Sequence, residues 1–432
     1  MIHVLAQELN SVLAGTSIGF MLSDMGSRMY FPKGIIAQGG EAKKFGKKAN
    51  ATIGVTLKKG TPLILPAIQE QAPSLSAQQL VAYAPTAGDL ELRTMWKEEM
   101  IQKNPTLAGK NISLPVVVPG LTAGISYLCD MFLSTDDVLL AANPSWDNYA
   151  LITNARRNAE MQQFSMFVDG GFNLKAFKAA MHKEGKKGIV KLLLNFPQNP
   201  SGYSPTADEA KAICQIIKET AEEGAHVMVW CDDAYFGLNY EDSIEQQSLF
   251  AYLCDIHEHV VAVKIDGPTK EDFVWGFRCG FLTFGSKGLK DEHYEAIIKK
   301  LMGCIRSSVS CAATPSQKIL INALKNPDLP KQKQKFRDLL ELRYKAVRAF
   351  VETKKENQNI TPLPFNSGYF MSFHCNTISA ENLRQTLLHE YEIGTIAIDN
   401  ETLRVAFASI DLDQINIVYT AIYDAANRLA NA

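Results

Sequence analysis

The chain has 432 residues, 46% of them hydrophobic and 21% charged, which fits a soluble globular enzyme with two or three domains or one large domain and a smaller attached one. A formal net charge of −2 supplies no global field toward nucleic acid or an anionic membrane, and no apolar run approaches the roughly 18 residues that span a bilayer. The first 75 or so residues carry Gly and Pro punctuation, as in Phe31-Pro32-Lys33-Gly34 and Gly60-Thr61-Pro62, and read as an arm with short irregular elements. From residue 76, short β-branched runs alternate with amphipathic stretches: Leu114–Val118, Val138–Ala142, Ile189–Leu194, Val227–Trp230, Val260–Ile265 and Gly280–Phe284. The stretch Pro205–Glu223 between them predicts a helix, with Thr206 and Asp208 at its start. This alternation predicts an α/β fold whose central sheet is mainly parallel and flanked by helices. Beyond Pro330, a charged helix over about Gln332–Glu356 leads into mixed texture and a last helix from about Asp413, read as a smaller α+β domain. The expected division is 1–75, an arm and part of the small domain; 76–330, the large domain; and 331–432, the remainder of the small one. The basic clusters Lys43, Lys44, Lys47, Lys48 and Lys331, Lys333, Lys335, Arg337 read as solvated helix faces.

Several common motifs are absent. No G-x-G occurs, so the dinucleotide fingerprint is missing. Gly40 to Gly46-Lys47-Lys48 is one residue too long for a phosphate loop, and Lys48 stands where Ser or Thr should bind magnesium. His257 and His259 form only an H-x-H, with no H-E-x-x-H or cysteine pair to support a metal, so none is expected. The eight cysteines are scattered without a C-x-x-C, as reduced and mostly buried thiols of a cytoplasmic protein would be. The N-terminus lacks a positively charged leader, which argues against a secretory signal.

Three polar sites follow three apolar runs. Ile189–Leu194 leads into Asn195-Phe196-Pro197-Gln198-Asn199-Pro200-Ser201-Gly202, Val227–Trp230 into Cys231-Asp232-Asp233-Ala234-Tyr235, and Val260–Ile265 into Asp266-Gly267-Pro268-Thr269-Lys270. Open α/β sheets bind ligands outside the carboxyl ends of their strands, so an Asn, an Asp and a Lys converge on one crevice. A carboxylate there needs a cation, and a desolvated lysine is a Schiff-base former. Pyridoxal phosphate calls for such a lysine, for an acid at its ring nitrogen and for a donor to its phenolic oxygen. Pro119-Gly120-Leu121-Thr122-Ala123-Gly124, a strand end, glycine turn and helix start, offers free N–H groups to a phosphate.

With these motifs in order, the chain resembles the fold-type I pyridoxal-phosphate enzymes of aminotransferase class I/II from about Gly54 to its end. That family carries N-P-x-N-P-[ST]-G, then D-x-A-Y, then S-x-x-K with an arginine eight residues on; here these are the Asn195–Gly202 run, Asp232–Tyr235, and Lys270 with Arg278. The resemblance implies the PLP-dependent transferase fold and transfer of an α-amino group from an amino acid to a 2-oxo acid by a ping-pong route. Lys270 would hold the cofactor and shuttle the proton. Asp232 would pair with the ring nitrogen, with Asp233 next in claim. Asn199 and Tyr235 would bond the phenolic oxygen, and Asn199 would also border the substrate. Arg278, Thr122 and the Leu121 N–H would hold the phosphate, and Trp146 would stack on the ring. Arg404 would clamp the substrate α-carboxylate. Tyr83, ahead of Gly88 and Leu92-Arg93, resembles a tyrosine that reaches the neighbouring subunit's phosphate, implying a homodimer with shared sites. Arg306 resembles an arginine donated across the dimer to a side-chain carboxylate, and reads equally as a surface residue. Aspartate, glutamate and aromatic amino acids are the implied donors.

Two departures stand out: Gly267 replaces the family's serine three residues before the lysine, and the Glu271–Phe277 segment is more acidic and aromatic than usual. Taken singly, each residue has a plainer reading: Asn199 a turn cap, Asp232 and Arg278 a structural pair, Trp146 core, Tyr83 interface. The competing functions are a pyridoxal-phosphate lyase (C–S lyase or decarboxylase) on the same fold, a non-catalytic regulator, and a dehydrogenase. The regulator would need a DNA-binding unit that the first 75 residues leave little room for, and the dehydrogenase lacks its G-x-G.

Overall fold

The computed structural model describes residues 2–14, 24–28, 35–52, 54–71 and 74–431; the Phe31–Gly34 punctuation lies outside them. A seven-stranded sheet forms the centre. In chain order its strands are β1 (Val116–Val118), β2 (Val138–Asn143), β3 (Glu160–Ser165), β4 (Ile189–Asn195), β5 (His226–Asp232), β6 (Val260–Asp266) and β7 (Gly280–Ser286). Across the sheet they run β1-β7-β6-β5-β4-β2-β3. Only β7 is antiparallel to its neighbours, so β1, β2, β4, β5 and β6 end on one edge. The central strands are buried on both faces, which suits their Val, Ile and Leu content. β3 is different: Glu-Met-Gln-Gln-Phe-Ser lies at the edge with half its residues exposed, and its polar texture hid it from the sequence reading.

Helices cover both faces. Residues Ala207–Glu222 form the helix expected over 205–223, started by a reciprocal capping box in which Thr206 Oγ1 accepts from Glu209 N and Glu209 accepts from Thr206 N. Ala210, Ile213, Cys214, Ile217 and Ala221 form its buried stripe. The long charged helix begins at Leu329 rather than Gln332 and ends at Glu352. Its Lys333 is not on a solvated face, correcting the expectation: the half-buried side chain is paired with Asp272 at 2.5 Å and Glu271 at 3.4 Å. Lys331 and Lys335 are exposed, as are Lys43, Lys44, Lys47 and Lys48.

A second, wholly antiparallel sheet has four strands, β8 (Ile360–Pro362), β9 (Met371–Cys375), β10 (Ile396–Ala397) and β11 (Thr402–Val405), ordered β8-β9-β11-β10. The beginning of the chain joins this part: Ala49–Asn50 pairs in parallel with Ile393–Gly394. The first 75 residues are more regular than expected, with helices at Val4–Leu13 and Ile35–Phe45 among those described. The smaller sheet is fastened to the large one beside the strand ends, where Tyr369 Oη donates to Lys270 O at 3.0 Å and Ser372 Oγ to Pro200 O at 2.8 Å.

Candidate active site

The common edge of β1, β2, β4, β5 and β6 opens on a cavity of about 270 Å³. Leu121, Thr122, Trp146, Asn199, Asp232, Tyr235, Lys270, Arg278 and Arg404 all line it. Each arrives by a short path from a strand: Asp232 is the last residue of β5, Lys270 follows β6 by one tight turn, and Arg278 stands just before β7. Arg404 comes from β11, so the smaller sheet forms the opposite wall.

Asp232 is buried and Lys270 half-buried, and each affects the other. Burial pushes the Lys270 ammonium down to about 8; the Asp232 carboxylate opposes that shift and the Arg278 guanidinium adds to it. Burial likewise raises the Asp232 carboxyl, against a hydrogen bond from Tyr149 and the charge of Lys270. The Tyr149 hydroxyl donates to Asp232 Oδ2, and Trp146 packs edge-on to the Tyr149 ring at 5.3 Å. Asp233 points elsewhere: it leaves the cavity and meets Lys264 on the other face of the sheet. Lys270 Nζ lies 4.8 Å from the Tyr235 ring centre.

Arg404 is 2% exposed and lies over Phe370, its guanidinium carbon 4.3 Å from the ring centre. It donates to Asn199 Oδ1 at 2.9 Å and to Thr52 O at 3.1 Å, and its buried Nε has no partner. Burial lowers its pKa to about 10. An arginine with one donor unmet at a cavity wall is set up to bind a carboxylate.

One end of the cavity rests on a helix running Leu121–Phe132, whose N-cap Gly120 provides no side-chain bond. Gly120 has φ +89, and a Cβ there would stand 2.3 Å from Arg278 Nη2. The missing side chain thus lets the guanidinium lie beside the first-turn N–H groups, a combination suited to a phosphate. Gly267 is enclosed instead. A Cβ would come within 3.0 Å of Cys279 O and of Gly280 Cα, so the absent serine follows from backbone crowding.

Tyr83 and Arg306 do not join this cavity within the single chain. Tyr83 is 92% exposed, and Arg306 is exposed near the end of the helix Asp291–Ser308. The sequence reading gave no role to Tyr149, Thr52, Phe370 or Trp275, of which all but Thr52 line the cavity. Tyr149 had a signal, three residues after Trp146 at a strand exit. A larger hollow, about 420 Å³, lies between Glu99, Lys103, Glu271, Lys333 and Arg337, but its lysines are paired to carboxylates. Asp232 and Arg404 are not among its lining residues.

A half-buried, desolvated lysine, a buried carboxylate and a buried arginine line one cavity beside a helix start with free N–H groups, a set whose chemistry fits a Schiff base with pyridoxal phosphate. Residues 48–422 match the family described as aminotransferase class I and II, and the chain belongs to it. The enzymes of that family are pyridoxal-phosphate-dependent. Over 254 residues the chain is 27% identical to a probable N-acetyl-LL-diaminopimelate aminotransferase of Bacillus subtilis (strain 168), covering 58% of this chain and 57% of that one. The curated relatives it matches are spanned over about half of their length, 46–57%. A solved aminotransferase of Anaerococcus prevotii superposes with TM-score 0.83 at 22% identity, covering 94% of this chain and 99% of that one. The kynurenine aminotransferase of Pyrococcus horikoshii, solved with PMP and kynurenine, gives 0.77 at 16% identity over 96% and 98%.

Proposed function

We propose that this protein is a pyridoxal-phosphate-dependent aminotransferase, a cytoplasmic homodimer that moves an α-amino group from an amino acid to a 2-oxo acid. The observation carrying this reading is the convergence of a half-buried, desolvated Lys270 with buried Asp232 and Arg404 on one cavity. The free thiols support a reducing compartment. Among the described residues, no helix is long and apolar enough to cross a membrane. The large unit is 76–330, and the small one combines 331–432 with part of 1–75, in keeping with the Ala49–Asn50 pairing.

When bound, the cofactor supplies an aldehyde that condenses with amines and a ring that withdraws electrons from the amino acid's Cα. Lys270 Nζ, its ammonium disfavoured by desolvation, would hold that aldehyde and, once released by substrate, would take the Cα proton and return it. The Asp232 carboxylate, hydrogen-bonded by Tyr149, would keep a proton on the ring nitrogen. Tyr235 and Asn199 donate to the phenolic oxygen, and Trp146 covers the ring. Arg278, Thr122 and the Leu121 N–H hold the phosphate. Arg404 grips the substrate α-carboxylate and so aims its amino group, with Asn199 at its side. Tyr83 and Arg306 would serve the site of the second protomer, their exposure being consistent with that role. The walls made by Trp146, Tyr149, Trp275 and Phe370 favour aromatic donors, and an Arg306 supplied in trans would admit aspartate and glutamate. The P. horikoshii relative's kynurenine is itself aromatic.

The test is a visible absorption spectrum of the purified protein before and after glutamate, aspartate or tyrosine, beside Lys270→Ala. The expected result is a coloured protein that bleaches with stoichiometric release of the oxo acid, and loss of that colour in the variant. A protein that takes up no cofactor would overturn the proposal. Colour with ammonia or carbon dioxide released in place of amino transfer would replace the aminotransferase with a lyase.

A further inference from the structure

On the sheet face opposite the cavity, directly behind Asp232, lies a second buried charge cluster. β6 reads Val-Val-Ala-Val-Lys-Ile-Asp, and its Lys264 is 1% exposed. Its ammonium hydrogen-bonds Asp233 Oδ2, lies 3.5 Å from Asp266 Oδ2, and sits 4.4 Å from the Phe236 ring centre. Ser248 Oγ donates to Asp233 at 2.6 Å, and Trp96 Nε1, its ring stacked on Phe281, donates to Asp266 at 3.2 Å. Neighbouring side chains on a strand point to opposite faces, so Asp232 reaches the cavity while Lys264 and Asp266 face away from it.

The cluster occupies the place where the sheet stops. Asp232 and Ile265 are the last ladder partners of β5 and β6, and Asp233 N to Ile265 O, at 2.9 Å, closes the pairing. Past this point β5 leads to Tyr235, and β6 turns at Asp266-Gly267 toward Lys270. Asp233 is therefore the first anchor beyond the β5–β6 ladder and Asp266 the last residue of β6, and Lys264 holds both. Stability alone is a weak reason for this arrangement, because burying three charges is costly and well-packed apolar side chains often serve as well or better. Met or Leu would suit the otherwise apolar interior of β6.

We infer that Lys264 is a positioning residue, the centre of a clasp with Asp233 and Asp266 that fixes the strand ends bearing Asp232 and Lys270. The inference rests on the function proposed above. The clasp also carries charge: Lys264 is among the groups favouring ionised Asp232, and Asp232 in turn disfavours ionised Asp233. Cys231 and Glu271 are the other titratable groups acting on this cluster. The cluster sets two carboxyls against one cation: burial works against their ionisation and Lys264 works for it.

The decisive variant is Lys264→Met/Asp233→Asn/Asp266→Asn as holoenzyme. It removes every charge together and leaves acceptors for Ser248 and Trp96. The expected result is full cofactor content and a Tm within a few degrees of wild type, with kcat lowered about tenfold and KM within about twofold. The pH midpoint of the cofactor's absorbance should shift, because the charges behind Asp232 have been removed. Wild-type kcat together with a wild-type midpoint would reduce the clasp to a structural ion cluster. Asp266→Asn alone, which keeps the Lys264–Asp233 bond, should move both quantities less and in the same direction. If the triple variant does not fold, unchanged kcat and midpoint in Asp266→Asn overturn the inference. Failure of the wild type to bind cofactor would instead overturn the function on which it rests.

Discussion

Lys270 shows what one residue costs a fold when it is placed for chemistry. Its pKa falls from 10.5 in water to about 8 because burial disfavours the ammonium. Below about 8 the amine is charged both folded and unfolded, and the apoprotein carries the whole penalty. Between about 8 and 10.5 only the unfolded chain holds the proton, so the penalty shrinks as pH rises and is gone above the unfolded value. At pH 7 it is ~3 kcal/mol. Lys270→Met apoprotein should therefore be more stable than wild type by up to that amount in urea unfolding at pH 7, and the gap should narrow by pH 9.5. An equal gap at both pH values would mean that the amine is not desolvated. Tyr149 invites a second test at this scale. Its hydroxyl favours the ionised form of Asp232, so in Tyr149→Phe the carboxylate takes up a proton sooner as pH falls. The acid limb of the kcat profile should move to higher pH, with kcat at its plateau lowered about tenfold, a barrier ~1.4 kcal/mol higher. An unshifted limb would remove Tyr149 from the control of Asp232.

At the scale of elements, the turn from β6 to Lys270 departs most clearly from its family. Gly267 has an extended backbone, φ 165, that any residue can adopt, so the obstacle to serine is space: Cys279 O and Gly280 Cα are 3.0 Å from its would-be Cβ. Gly267→Ser should lower stability by ~1–3 kcal/mol through overpacking, without tightening cofactor binding. Thermal unfolding and a cofactor titration check the two halves separately, and a tighter complex would show that the backbone can yield. The same turn illustrates what the sequence could convey. The strands ending at Asn195, Asp232 and Asp266 were legible because they are buried on both faces and so read as unbroken apolar runs. The site residues beyond them were legible as polar groups following such runs. β3 was not, since an edge strand with exposed polar residues has no periodic signature. Lys333 was misread for a related reason: nothing in a helix rich in lysine marks which one meets Asp272 from a distant turn. The bond from Tyr149 to Asp232 joins residues 83 apart in the chain and became visible only in three dimensions.

At the scale of the molecule, the single chain brings nine of the expected site residues to one cavity and leaves Tyr83 and Arg306 outside it. An aromatic side chain 92% exposed on a folded surface has nothing to gain from burial within its own chain. In a two-fold dimer every contact occurs twice, so Tyr83 of each protomer would enter the other's cavity while Lys270 stays in its own. This arrangement predicts complementation. Lys270→Ala and Tyr83→Ala homodimers should each be impaired, the first through loss of the amine and the second through weaker cofactor retention. After the two are mixed, dissociated and reassociated at random, half of the dimers are hybrids, and each hybrid has one site with both residues intact. At limiting cofactor, activity should recover to about one quarter of wild type, well above the mean of the two parents. Activity that merely averages the parents would place Tyr83 and Lys270 at the same site in one chain, or remove Tyr83 from the site. The experiment thus separates a shared active site from simple association, because dimerisation without an exchanged residue gives no gain on mixing.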